Sequence, residues 1–456
     1  MLFKLPGITL TVLIALTSCK KPGNGDQSPA VSFSTVIAFG DSLSDAGTYQ
    51  VGPIKAAGGG RFTVNGVDGE IGTLPVPTYT WAQLVSAAAV GKASCAARSG
   101  GFGSPKSNEP ATGPTKCRNY AQGGSRVTNP KGIGNPVGVG FTAGPLTEPV
   151  VTQIANFGAD SGSANFDGTE LITVLAGPND LFGQIETLTL ESKAAGAAGF
   201  AKSIITQMIA FVTPANRAQA QTAIGQAVQT EAAQAAATPI SIITAAIKAA
   251  TPFLAADAAG KVNPAEIGKT AEAAAKEAGN TYAATTGLQN AVSAMAAVAD
   301  TLSSYVKDMV NKGARYVVVV NIPDVSQTPM AAKNPSSQPL ILAMTTAFNT
   351  ALEKALAGAD GVLFVDAFSE NRRQFIDPAH YDLDNVKDVA CNLNFPANVL
   401  DATKDGSGSA IVCNGNNLIN ADTSRYLFAD NVHPTPYGHK LLAQYVTKAM
   451  VLAGWL

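Results

Sequence analysis

Four short apolar runs constrain the fold of this chain more than any other feature. Residues 36–39 (VIAF), 171–175 (LITVL), 316–320 (YVVVV) and 362–365 (VLFV) are rich in β-branched and other large apolar side chains and do not alternate with polar ones. Such a run is too short for a buried helix and reads as a strand covered on both faces, the situation in a parallel sheet. Parallel strands need long crossovers, and helical patterns do lie between the runs. Val292, Met295, Val298, Leu302, Tyr305, Val306 and Met309 recur at helical spacing until Gly313 stops the pattern. A second helix is predicted over 340–356, just before the last run. The expected class is α/β, with a ligand crevice beyond the carboxyl ends of the strands.

Two stretches depart from this alternation. Residues 183–290 are alanine-rich, with a helical stripe at Phe200, Ile204, Met208 and Phe211 broken by Pro214. No fixed period runs through them, so they read as a helical insertion, either an elaboration of the surface or a cap over the crevice. Residues 52–145 are dense in Gly, Pro, Ser and Thr and are expected to be largely loop. The chain is 46% hydrophobic and only 14% charged, with a formal net charge of −2. That composition supports a packed core and argues against a nucleic-acid partner. The protein is expected to be a monomer.

The first residues read as a targeting segment. Lys4 supplies a positive flank and residues 5–16 an apolar core too short to span a bilayer comfortably. The stretch ends in LTSC, which resembles the bacterial lipobox, and that resemblance implies a signal peptide over 1–19 ending at a lipidated Cys19. Residues 20–33 (KKPGNGDQSPAVSF) then form a polar tether. Lys20 after the acylated cysteine is compatible with the outer membrane of a Gram-negative cell. The four remaining cysteines permit two disulfides. Three pairings are possible, and the short separations favour Cys95 with Cys117 and Cys391 with Cys413. No CxxC or histidine cluster accompanies them, so no metal is expected.

Candidate chemistry sits where the first strand ends. In FGDSLSDAG, Ser42 stands at the sharp exit of a buried run, where its hydroxyl can reach a crevice and its backbone N–H can face a developing oxyanion. Near the other end, FADNVHP places Asp430 three residues before His433. Neutral imidazole is the usual base for a hydroxyl, and a neighbouring carboxylate fixes its tautomer. Of the three histidines, His380 sits in a polar loop and His439 lies within the last predicted helix, at its surface or packed on the sheet, so His433 is the favoured base. The glycine pair Gly123-Gly124 and the strand-terminal Asn179 can supply further N–H groups.

The four segments FGDSLSDAG, NYAQGGS, GPND and DNVHP resemble, in order, the four blocks of the GDSL, or SGNH, hydrolase family. GGGRFT, TYTWAQLV and GARYVVVVNIPDVSQTP are similar to stretches of bacterial members. The resemblance implies a flavodoxin-like three-layer α/β/α sandwich over 34–456, interrupted by the insertion. It implies Ser42 as nucleophile, His433 as base and then acid, and Asp430 as the orienting acid. The oxyanion hole would be the Ser42 and Gly124 N–H groups and the Asn179 side chain, with Gly123 the one-residue alternative to Gly124. Asp41, Asp45 and Asp180 would shape turns. No glycine stands two positions after Ser42, which separates this pattern from the Gly-x-Ser-x-Gly elbow. The implied activity is that of an exported, lipid-anchored serine esterase or lipase without metal or organic cofactor. Alternatives are a carbohydrate O-deacetylase, an acyltransferase, or a non-catalytic surface lipoprotein. Autotransporter esterases share these blocks, but with the last predicted helix close to Leu456 no membrane barrel is expected.

Overall fold

The computed structural model describes residues 31–66, 78–108, 116–133, 147–258, 260–400, 404, 406–419 and 422–456. The signal segment 1–19 with Cys19, and most of the 20–33 tether, lie outside the described residues.

All four apolar runs are strands. They form one parallel sheet in the order β1 (Val36–Gly40), β2 (Leu171–Leu175), β3 (Tyr316–Val320) and β4 (Val362–Val365). Residues 118–122 extend the sheet beyond β1. The Ala38 N–H donates to the Arg118 carbonyl (3.1 Å), and the Tyr120 and Gln122 N–H groups donate to Ala38 and Gly40 (2.8 and 3.2 Å). In chain order, β1 leads to α1 (Trp81–Val90) and α2 (Val150–Ser161). β2 runs into α3 (Pro178–Ala210), followed by α4 (Arg217–Ala232), α5 (Pro239–Ala250) and α6 (Pro264–Tyr282). α7 (Leu288–Asn311) returns to β3, and α8 (Gln338–Leu356) joins β3 to β4. After β4 come α9 (Ala367–Ile376), a small parallel pair β5 (Asn385–Val389) and β6 (Tyr426–Phe428), and the closing α10 (Pro436–Leu452).

The strand residues alternate between two cores, as a pleated sheet requires. Ile37, Phe39, Ile172, Val174, Val317 and Val319 pack under α2, α7 and α8. Val36, Ala38, Leu171, Leu175, Val318 and Val320 pack under α1 and α10. Because both faces are covered, neither needs polar residues, which explains the unbroken apolar runs.

Residues 52–145 hold more structure than their composition suggests. They include α1 and an antiparallel hairpin of Arg98–Gly101 with Ser104–Asn108. WAQLVSAAAV is a good helix former once Thr80 and Gln83 cap it reciprocally and Gly91 ends it at φ 74°. Burial of Trp81 and Val85 against the sheet then fixes it there.

The insertion is helical and has a hydrophobic core of its own, which includes Ile204, Met208, Ile224, Val228, Ile243 and Ile267. It grows out of an existing helix. α3 runs unbroken for 33 residues from Pro178, so its first turn belongs to the sheet edge and its last turns to the insertion. Among the described residues no helix is long and apolar enough to cross a membrane.

Two disulfides are present, Cys95–Cys117 and Cys391–Cys413, each spanning 22 residues of sequence. The first staples the edge segment at 118–122, since Asn119 N–H donates to the Cys95 carbonyl and Ala97 N–H to the Asn119 carbonyl. Closing a loop of this length removes unfolded-state entropy worth about 3 kcal/mol. Replacing Cys95 and Cys117 by serine should therefore lower the unfolding free energy by about 3 kcal/mol in denaturant titrations. An unchanged midpoint would show that the edge segment is held by its backbone ladder alone.

Candidate active site

Since the strands are parallel, their carboxyl ends lie along one edge of the sheet and each delivers residues to it. β1 delivers Ser42, β2 Asn179, β3 Asp324 and β4 the first turns of α9. Gly40 ends β1 against its neighbour so closely that a Cβ there would stand 2.2 Å from the Leu175 carbonyl oxygen. Only glycine fits at that contact, and the chain leaves the sheet there to expose Ser42 to the crevice.

Asp430 and His433 reach the same place from the other end of the chain. They follow β6 in a tight turn closed by the Ala429 N–H donating to the His433 carbonyl (2.8 Å). Asp430 Oδ1 accepts from the Val432 and His433 N–H groups (3.0 and 2.8 Å), and Oδ2 from the Ala410 N–H (2.7 Å). This turn folds the imidazole back on the carboxylate, with Nδ1 2.9 Å from Oδ1 and 2.8 Å from Oδ2. Nε2 lies 2.9 Å from Ser42 Oγ. A carboxylate only accepts, so the ring proton resides on Nδ1 and Nε2 is left to accept from the serine hydroxyl. Burial pushes the Asp430 carboxyl up, but the adjacent His433 ring and the Val432 and Ala410 N–H groups outweigh it and hold it below the ordinary carboxylate range. An ionised acid, an oriented imidazole and a hydroxyl in one hydrogen-bonded line can abstract the serine proton and store it on the ring.

Three candidate donors surround Ser42. Gly124 (φ 81°) and Asn179 both line the cavity beside it. The Gly123 N–H is already committed to Asp45 Oδ2 (3.0 Å). The Ser42 and Gly124 N–H groups have no partner among the described residues. Asn179 donates one amide hydrogen to the Ser125 carbonyl (2.9 Å), which fixes its side chain and leaves the other hydrogen free. Of the two other histidines, His380 is exposed. His439 is wholly buried, accepts from the Trp81 N–H at Nδ1 (3.2 Å), and is pushed down to about 3 by burial.

Asp41, Asp45 and Asp180 sit beneath the site and organise backbone. Asp41 accepts from the Leu43 N–H, Asp45 from Gly47, Thr48 and Gly123, and Asp180 from Val127. Burial pushes Asp41 up to about 7 and Asp45 and Asp180 up to about 6.

A cavity of about 460 Å³ opens from Ser42, lined mostly by apolar side chains. Leu43, Phe62, Phe102, Ile133, Pro178 and Phe182 line it together with Ile322, Val325, Leu427, Phe428 and Leu442. Glu370, Asn371 and Gln374 of α9 give it a polar wall. The outer wall comes from the loop closed by Cys391–Cys413, through Val399, Leu400, Ser407, Ser409 and Ile411. Nothing from 183–290 lines the cavity among the described residues, so the insertion is not a cap over it. Its helices bury their apolar faces against one another, and only the first turns of α3 reach the site. Among the described residues there is no cluster of His, Cys, Asp or Glu able to hold a metal ion.

Sequence reasoning did not single out Phe62, whose ring packs 4.9 Å from the His433 imidazole, and it read the 391–413 segment only as a disulfide loop, not as part of the cavity lining. The only signal for Phe62 was its place in GGGRFT. A family model described as GDSL-like Lipase/Acylhydrolase matches residues 278–446, which contain β3, β4, Asp430 and His433. Ser42, Gly124 and Asn179 precede the matched stretch. No curated protein matches the chain.

The buried acids set a pH dependence of stability. Asp41 keeps its proton in the folded protein up to about 7 but would lose it near 3.8 when unfolded. Its contribution is therefore fully present below the unfolded value and is lost as pH rises through 7. Asp41→Asn stays neutral and can still accept from Leu43, so the difference in melting temperature between pH 5 and pH 8 should narrow. An unchanged difference would mean that Asp41 is ionised in the folded state throughout.

Proposed function

We propose that this chain, whose residues 278–446 match the GDSL-like Lipase/Acylhydrolase family model, is an ester hydrolase of that family, and specifically a serine esterase acting on carboxylic esters with an apolar acyl chain. The observation that carries the reading is the line from Asp430 through His433 to Ser42 Oγ, with 2.8 and 2.9 Å contacts, at the mouth of an apolar cavity.

In this mechanism Ser42 Oγ attacks the ester carbonyl as its proton passes to His433 Nε2. Negative charge develops on the carbonyl oxygen, and the Ser42 N–H, the Gly124 N–H and the free Asn179 amide hydrogen receive it; each such donor is typically worth about 10²–10³ in rate. The tetrahedral intermediate collapses, the C–O bond to the alcohol breaks, and His433 returns the proton to the leaving alkoxide. A water molecule, deprotonated by the same nitrogen, then attacks the acyl–Ser42 ester. Collapse of the second intermediate releases the carboxylic acid and restores the serine hydroxyl. Asp430 stays ionised throughout and stabilises the imidazolium that forms twice in each cycle.

The lining also bears on the substrate. A glycan would be served by an open polar cleft, whereas Leu43, Phe182, Ile322, Val325, Leu427 and Leu442 gain by covering an alkyl chain, about 0.8 kcal/mol per buried methylene. The polar wall at α9 is the one feature that favours the O-deacetylase alternative. A p-nitrophenyl ester series from acetate to palmitate separates the two. The esterase reading expects kcat/KM to rise with chain length to a medium chain and to fall at least about 10³-fold in Ser42→Ala and His433→Ala. A maximum at acetate would favour deacetylation, and residual full activity in Ser42→Ala would overturn the mechanism.

The reading also includes export and anchoring through Cys19, supported by the LTSC sequence and by two disulfides of the kind that persist in oxidising compartments. Cell fractionation should place the protein in the outer membrane, and Cys19→Ala should release it to a soluble fraction. Recovery of the unaltered protein in the inner membrane or the medium would contradict this.

A further inference from the structure

Residues 58–65 (GGGRFTVN) and the turn at 409–413 are far apart in sequence and meet beside the Asp430–His433 turn. Asn65, 3% exposed, joins them. Its side-chain nitrogen donates toward the carbonyls of Arg61 (2.9 Å), Thr63 (3.0 Å), Ala410 (3.3 Å) and Cys413 (3.0 Å). Its side-chain oxygen accepts from the Arg61 N–H (2.9 Å), and its own N–H donates to the Cys413 carbonyl (2.8 Å). The Gly60 N–H adds a bond to the Ile411 carbonyl (2.8 Å).

Each of the two turns touches the acid–base pair. The 58–65 turn carries Phe62, packed on the imidazole, and Thr63, whose hydroxyl donates to the Pro434 carbonyl (3.0 Å). The 409–413 turn carries Ala410, whose N–H donates to Asp430 Oδ2. We infer that Asn65 is a positioning residue for Asp430 and His433, locking the two turns together so that Phe62 braces the ring and the Ala410 N–H braces the carboxylate. The kinetic consequence rests on the ester-hydrolase reading, whereas the geometric consequence does not. A buried carboxylate that loses a donor is destabilised as an anion and free to rotate. The imidazole then loses its fixed tautomer and its aim at Ser42 Oγ.

Asn65→Asp keeps the side-chain shape but turns the shared donor into an acceptor facing four carbonyls. Gly59→Ala attacks the same junction independently, because a Cβ at Gly59 would stand 1.9 Å from the Ile411 carbonyl oxygen and 2.8 Å from Val412 Cα. Both variants are made in the full chain, checked for folding by circular dichroism, and compared in kcat and KM on a p-nitrophenyl ester. The low-field proton resonance of the His433 Nδ1–H bonded to Asp430, assigned by its loss in His433→Ala, is recorded in parallel.

In whichever variant folds, kcat should fall about 100-fold with KM within about 2-fold, and the resonance should shift upfield or vanish. A folded variant with parental kcat and an unmoved resonance overturns the inference. If the parent protein hydrolyses no ester, the esterase reading has failed separately, and the resonance alone decides: displacement in the variants supports the positioning role, and no displacement refutes it.

Discussion

The contact between the His433 imidazole and the Asp430 carboxylate is what the rest of the site depends on. It is made within a four-residue turn, yet its value comes from long-range company. The turn needs β6 and α10 to hold its ends, the Ala410 N–H to hold the second carboxylate oxygen, and β1 to bring Ser42 within 2.9 Å from nearly four hundred residues away. A buried carboxylate kept ionised by its partners is expensive to assemble and costly to disturb, which ties local chemistry to the global fold.

The sheet solves the assembly problem in one way and the loops in another. Parallel strands bring Ser42, Asn179, Asp324 and the start of α9 to one edge, spaced by the strand separation. Loops from 58–65, 391–413 and 427–434 then close over that edge, and the Cys391–Cys413 bridge keeps the longest of them in place. The helical insertion is kept apart from this work. It buries Ile204, Ile224, Ile243 and Ile267 in its own core and touches the site only through the helix from which it grows.

How legible this was in the sequence differs from part to part for physical reasons. The four strands were readable to within one residue because a sheet covered on both faces demands uninterrupted apolar runs. Ser42, Asp430 and His433 were readable as candidates because a nucleophile, a base and an acid are few in kind, and the structure brings their side chains into one line. The helix at Trp81–Val90 was hidden by the Gly- and Pro-rich sequence around it, and its caps at Thr80 and Gly91 mark its ends only once the helix is recognised. Asn65 could not be read at all. Its partners at 410 and 413 lie almost 350 residues away, and an asparagine among glycines looks like any turn residue. The cap expectation failed because amphipathic helices reveal that they bury a face, not which surface they bury it against.

The most direct test of the account is covalent. Treatment with a fluorophosphonate, followed by mass spectrometry of the digested protein, asks which atom in the folded chain is an activated nucleophile. The account predicts a single phosphonyl adduct on the peptide containing Ser42, formed rapidly in the parent and far more slowly in His433→Ala. An adduct on a different residue, or none in a preparation that still hydrolyses esters, would contradict it.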